Sequence, residues 1–114
     1  MPDCIFCKIA THQIPSKIVH EDDEIVAFED VHPHAPVHIL VIPKRHIARL
    51  SDLTEKDGAL AGRLVTTASR IAADRGVAGR GYRVVINCNA EGGQTVDHLH
   101  LHLLGGRQMT WPPG

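Results

Sequence analysis

Apolar residues recur along this chain with two different periods. Ile5, Phe6, Ile9 and Ala10 fall at helical spacing, which predicts a short amphipathic helix in CIFCKIATHQ, closed off by Pro15. SKIVHED and EIVAFED are β-branched, partly alternating runs separated by the acidic turn EDD, the pattern of a hairpin. A proline-punctuated loop, HPHAP, leads into VHILVIPK, the strongest strand pattern in the chain, ended at Pro43. Thr54 is placed as a helix N-cap, with Glu55 and Asp57 in the first turn where carboxylates suit the helix dipole. Leu60, Leu64, Ala68, Ile71 and Ala72 then recur every third or fourth position, predicting a helix of about 20 residues that ends before Gly76. YRVVINC reads as a strand, NAEGG as a glycine-rich loop, DHLHLHLLGG as a last strand, and the tail over 105–114 as irregular.

The order helix, three strands, long helix, two strands places the chain in the α+β class. Neighbouring strands are expected to pair antiparallel, five in one sheet, with the helices packed on one face. At 114 residues the chain has room for one core, so residues 1–114 are read as one domain. A chain of this size buries about two-thirds of its unfolded surface and gains from a partner. The net charge of −1 with histidine neutral provides no field to draw nucleic acid or a membrane surface. Neither a signal-peptide pattern nor a run of about 20 apolar residues is present, which gives the expectation of a cytoplasmic protein.

Nine histidines and three cysteines change the picture. An odd cysteine count argues against a disulfide framework, and Cys4-x-x-Cys7 in a reducing compartment reads as a metal or redox pair. Cys88, alone in a predicted strand, reads as a small buried hydrophobe. On a strand, His98, His100 and His102 would share one face while Leu99, Leu101 and Leu103 take the other as core. Histidines two apart can share a metal, or one can act while its neighbours position it. Just upstream, Gly92-Gly93, Gln94 and the hydroxyl of Thr95 form a loop whose backbone N–H groups suit a phosphate or oxyanion. His38, in the predicted central strand, reads as a satisfied core histidine; His12, His20, His32 and His34 read as surface residues.

HLHLHLL has the His-φ-His-φ-His-φ-φ pattern, φ apolar, of the histidine triad (HIT) superfamily. The long stretches from IFCKIATHQIPSK to VIPKRHI and from GGQTVDHLHLHLLGG to RQMTWPPG resemble its Hint branch of nucleotide-binding hydrolases. The resemblance implies a five-stranded HIT-like meander whose sheet extends across a homodimer. It implies cleavage of purine nucleoside phosphoramidates or related nucleoside monophosphate derivatives through a nucleotidyl-histidine intermediate. By motif, the catalytic set is His100 as nucleophile, His102 on a phosphate oxygen, His98 as anchor and Thr95 at the phosphate or leaving group. Nucleotide binding would add Asp30 on the ribose, Asn87 and Gly93 near the sugar-phosphate, and Ile5, Phe6, Ile9, Phe28 and Val31 around the base. Trp111, in the tail, would approach the partner subunit's site, and the resemblance gives His38, beside its core reading, a place behind the active-site network.

Similar bacterial members carry a cysteine pair that the animal Hint proteins lack. The resemblance therefore implies a structural zinc on Cys4, Cys7, His46 and His98 and no organic cofactor. Two other functions stay open on the residues: a hydrolase whose strand histidines hold a catalytic zinc, and a non-catalytic nucleotide-binding or scaffold protein.

Overall fold

A computed structural model describes residues 3–114. Helix α1, Ile5–Ala10, begins at Cys4, whose sulfur accepts the N–H of Cys7. Strands β1, Ile18–Glu21, and β2, Ile25–Glu29, form the expected hairpin, and β3, Val37–Pro43, follows. Thr54 caps as expected, its hydroxyl and the Asp57 carboxylate forming a reciprocal capping box. The first turn, Glu55–Asp57, is 3₁₀, however, so α2 runs over Gly58–Asp74, shorter than the pattern suggested. Strand β4 covers only Tyr82–Val85; the rest of YRVVINC is irregular. The glycine-rich NAEGG is not open loop but a single helical turn, Asn89–Gly92.

All five strands pair antiparallel in the order β1-β2-β3-β5-β4, with β5 spanning Leu101–Gly105. β3 and β4 are not neighbours: the last strand inserts between them and becomes central. Alternation then sorts the side chains onto two faces. Ile25, Ala27, Ile39, Val41, Leu99, Leu101 and Leu103 pack with Leu64, Ala68, Ile71 and Ala72 of α2. Val26, Phe28, Leu40 and Ile42 pack with Phe6, Ile9 and Ala10 of α1. The two helices therefore cover opposite faces, not one. The chain after Gly105 has no helix or strand.

The histidine segment departs from the expected single strand, because β5 begins only at Leu101 and His98 and His100 lie before it. The β3–β5 ladder ends at the Val41–Leu101 pair. Two residues beyond Val41, the carbonyl of Pro43 faces this side and accepts from His98 Nε2 at 2.8 Å. On a strand the N–H and C=O of one residue point the same way, so the N–H that proline lacks is the one a longer ladder needs. An imidazole and the Leu99 N–H to Ile47 O bond of 2.7 Å replace the rungs. The in–out alternation survives: Leu99, Leu101 and Leu103 join the α2-side core, and the histidines face the α1 side.

At the other end of β5, a Cβ on Gly105 would sit 2.9–3.1 Å from all three side-chain carbons of Val77. That valine, buried, closes the turn after α2. Gly105→Ala is expected to destabilise the fold by about 1–3 kcal/mol; equal denaturant midpoints for variant and parent would contradict this close packing.

Candidate active site

His100 is 4% exposed, between Phe6 and His102. The Phe6 ring meets it edge-on at 5.1 Å between centroids and 89°. Its Nδ1–H donates to the backbone carbonyl of His98 at 2.6 Å. A carbonyl only accepts, so in the neutral ring the proton stands on Nδ1 and the lone pair on Nε2. This is the electronic form of a nitrogen nucleophile.

His102 reaches the complementary form by a longer chain. The backbone N–H of His34 donates to His38 Nδ1 at 3.0 Å, so the proton of neutral His38 lies on Nε2. That Nε2 is 3.0 Å from His102 Nδ1 and donates to it, which places the His102 proton on its own Nε2. Burial lowers the His38 pKa and brings that of His102 down to about 4, with His100 and His38 adding to the shift. Both are neutral at pH 7. Asp30, one residue past β2, has Oδ1 on the N–H of His32 at 2.8 Å and Oδ2 3.5 Å from His38 Nε2. Side by side, His100 presents a lone pair and His102 an N–H. His38 belongs to this network and is also a satisfied buried histidine.

These groups lie where two cavities adjoin. A cavity of about 320 Å³ is lined by Ile5, Phe6, Ile9, Phe28, Leu40 and Val31, with His100 among its walls. A second, of about 520 Å³, is lined by His34, His38, Asn87 and Gly93. Asp30, His32, Thr95 and His102 line both. All five residues expected around an apolar base thus fall in one cavity, and Asn87 and Gly93 fall in the other. Trp111 is 82% exposed and lines neither cavity of its own chain. His32 and His34 are surface residues, as expected, and they also line these cavities, which the sequence reading did not anticipate. The sequence reading of Cys88 is corrected. It is half-buried at the start of the Asn89–Gly92 turn, beside the Ser51 hydroxyl, which lowers its pKa, rather than buried in a strand.

A separate cluster gathers Cys4, Cys7, His46 and His98, one ligand atom from each lying within 4.8 Å of all the others. His98 Nε2–H is held by the Pro43 carbonyl, so Nδ1 carries the lone pair, 3.3 Å from Cys4 Sγ and 3.6 Å from Cys7 Sγ. His46 Nδ1 is 3.3 Å from Cys7 Sγ. Burial, then Cys4, holds the Cys7 thiol above its ordinary value; a cation between the sulfurs would favour the thiolates. Two sulfurs and two imidazole nitrogens this close fit a tetrahedral ion, with the Pro43 carbonyl as the outer partner that orients one ligand. Asp30, His38 and His102 also converge. There, however, the His38 N–H is committed to His102, so the trio fits a proton network better than an ion.

The HIT domain family model matches residues 11–109. Over 98% of its length the chain is 57% identical to a HIT-like protein of Synechococcus elongatus and 55% identical to one of Synechocystis, covering 97% of each. Among solved structures, a HIT family hydrolase from Legionella pneumophila superposes with a TM-score of 0.97 at 52% identity, over 98% of this chain and all of that one. A histidine triad protein from Clostridium difficile gives 0.93 at 44%, over 96% of each chain.

The His102 shift has a sign that can be tested. Its folded value of about 4 lies below the ordinary 6.5, so between these limits the unfolded chain binds a proton that the native chain refuses. Stability is therefore expected to fall as the pH drops through this window, by up to about 1.4 kcal/mol per pH unit from this residue. Denaturant unfolding of the parent and of His102→Gln at a series of pH values checks it; equal slopes for the two would remove His102 as the source.

Proposed function

The chain belongs to the HIT domain family and has the fold of its hydrolases, and from that premise we propose that it cleaves nucleoside phosphoramidates or related nucleoside monophosphate derivatives. The observation that carries the reading is the Nδ1–H of His100 on the His98 carbonyl, which leaves a nucleophilic Nε2 where an apolar and a polar cavity adjoin. The base enters the apolar cavity between Phe6, Phe28 and Ile9, and Asp30 at its edge accepts the ribose hydroxyls. The phosphate lies between Thr95, Gly93 and His102, with Asn87 on the sugar-phosphate.

In the first step the Nε2 lone pair of His100 forms a bond to phosphorus as the bond from phosphorus to the leaving amine breaks. The amine departs as it takes a proton from the Thr95 hydroxyl, which is reprotonated by solvent water. The N–H on His102 Nε2 donates to a phosphoryl oxygen and stabilises the charge that builds there. Water then attacks phosphorus, breaks its bond to His100 and releases the nucleoside monophosphate. Neutral imidazoles suit both roles, since a protonated His100 has no lone pair to give.

We assign zinc to the cysteine–histidine cluster in a structural role, as in the bacterial-type Hint branch that carries a cysteine pair. Bound there, the ion would hold α1 against the segment of His98 and fix the carbonyl on which His100 depends. A catalytic zinc on the three triad histidines fits less well, because His98 has both nitrogens engaged, Nε2 on the Pro43 carbonyl and Nδ1 toward the thiols, while the bond from His38 puts the His102 proton on Nε2. We further propose a homodimer in which Trp111, exposed and lining neither cavity of its own chain, reaches the partner subunit's site.

The test is a turnover panel of adenosine and guanosine phosphoramidates. Replacing His100 with glycine should lower turnover by at least about 1,000-fold and leave nucleotide binding measurable; turnover within a few-fold of the parent would remove His100 from the role. Metal analysis of protein purified without chelator or a metal-affinity tag should find about one zinc per chain and a large loss in Cys7→Ser. Well under one zinc in the parent would reject the site.

A further inference from the structure

The segment that carries Gly93 and Thr95 takes an unusual path. Asn89 has φ +62° and Gly93 φ +85°, both in the left-handed region that glycine and, among other residues, asparagine adopt most readily. A single side chain, that of Gln94, ties this path down at three points. Its Oε1 accepts the Asn89 N–H at 3.0 Å, and its amide nitrogen donates to Ala48 O at 2.7 Å and Val96 O at 3.0 Å. The orientation is unambiguous, because the two partners of the nitrogen are carbonyls and the partner of the oxygen is an N–H. The backbone adds a return bond, Gln94 N–H to Asn89 O at 3.1 Å. Arg49 reaches the Asn89 side chain at 3.2 Å.

Ala48 gives this link its reach. It lies two residues after His46 and directly after Ile47, whose carbonyl holds Leu99 beside the nucleophile. Gln94 therefore spans from the Gly93–Thr95 loop to the segment against which the histidine chain is aligned. Its polar groups are spent on backbone, and it lines neither cavity.

We propose that Gln94 is a positioning residue for phosphoryl transfer: by joining Asn89, Ala48 and Val96 it sets the Gly93–Thr95 loop at the height above His100 at which a phosphate is held. The inference rests on reading that loop as the phosphate site. Gln94 acts on the phosphate alone, because the base and ribose are held by residues of α1 and of the β2–β3 region that it does not touch.

Binding of adenosine monophosphate and of adenosine to the parent, Gln94→Met and Gln94→Glu separates the cases. Gln94→Met keeps length and removes every hydrogen bond of the side chain. Monophosphate affinity and phosphoramidate kcat should each fall by on the order of tenfold or more, with adenosine affinity within about twofold. The carboxylate of Gln94→Glu would face two carbonyl oxygens and regains a donor on protonation. Its deficit relative to the parent should therefore shrink from about pH 7.5 to about pH 5, which a space-filling role would not produce. Equal loss of adenosine and monophosphate binding in Gln94→Met, with a Gln94→Glu deficit that ignores pH, would reduce Gln94 to general support of the fold. Monophosphate affinity retained in both variants would overturn the proposal and leave the phosphate loop standing. A parent that binds the monophosphate no better than adenosine would overturn the reading of the loop and this inference with it.

Discussion

The antiparallel ladder between the two central strands stops at Val41 and Leu101, and the site depends on that stop. Had the ladder continued, the backbone groups of residues 98–100 would be spent on rungs and the segment would lie flat in the sheet. Pro43 withholds the N–H that the next rungs need, and its carbonyl takes an imidazole instead. His98 is then held at three points that serve different purposes: Nε2–H on the strand, Nδ1 toward the thiols beside α1, and its carbonyl on His100. The first bond sets the protonation of the ring, so the second can offer a lone pair.

Two cores, one on each face of the sheet, turn that local arrangement into a fixed distance. Leucines alternating with the histidines anchor the segment against α2, while Phe6 of α1 lies edge-on to both His98 and His100 from the other side. Close packing on both faces leaves the imidazoles little room to turn. The His34–His38–His102 series works similarly with hydrogen bonds: one backbone N–H at its start decides which nitrogen of His102 carries a proton. The lone pair on one histidine and the N–H on the next both trace to main-chain groups.

Much of this could be read from residue order, and the reasons are local. Strand alternation and helical spacing report which side chains are buried, so β1 to β3, α2 and the faces of the histidine segment were legible. So were the cysteine pair and the three histidines, because their spacing carries their chemistry. The start of β5 was not, since it depends on what faces Pro43 from another strand. Nor were the two helix faces: the period of α1 says that it has an apolar side, not which side of the sheet it meets. His32 and His34 looked like loop residues and are; their place at the cavities follows from a tertiary turn. The partners of Gln94 and Cys88 were not legible, because a hydrogen bond to a distant carbonyl or hydroxyl leaves no periodicity. Proline in VHILVIPK was a signal for the end of the strand, and its second meaning lay in the missing rung.

The acceptor that fixes the His100 proton is a peptide carbonyl and belongs to no side chain. Replacement of the imidazole at 98 would strip the cysteine cluster of a ligand and still leave that oxygen in the chain. The tautomer of residue 100 is thus partly insulated from mutation, whereas its location is not. Substitutions around this segment should accordingly displace the ring before they change which of its nitrogens carries the proton.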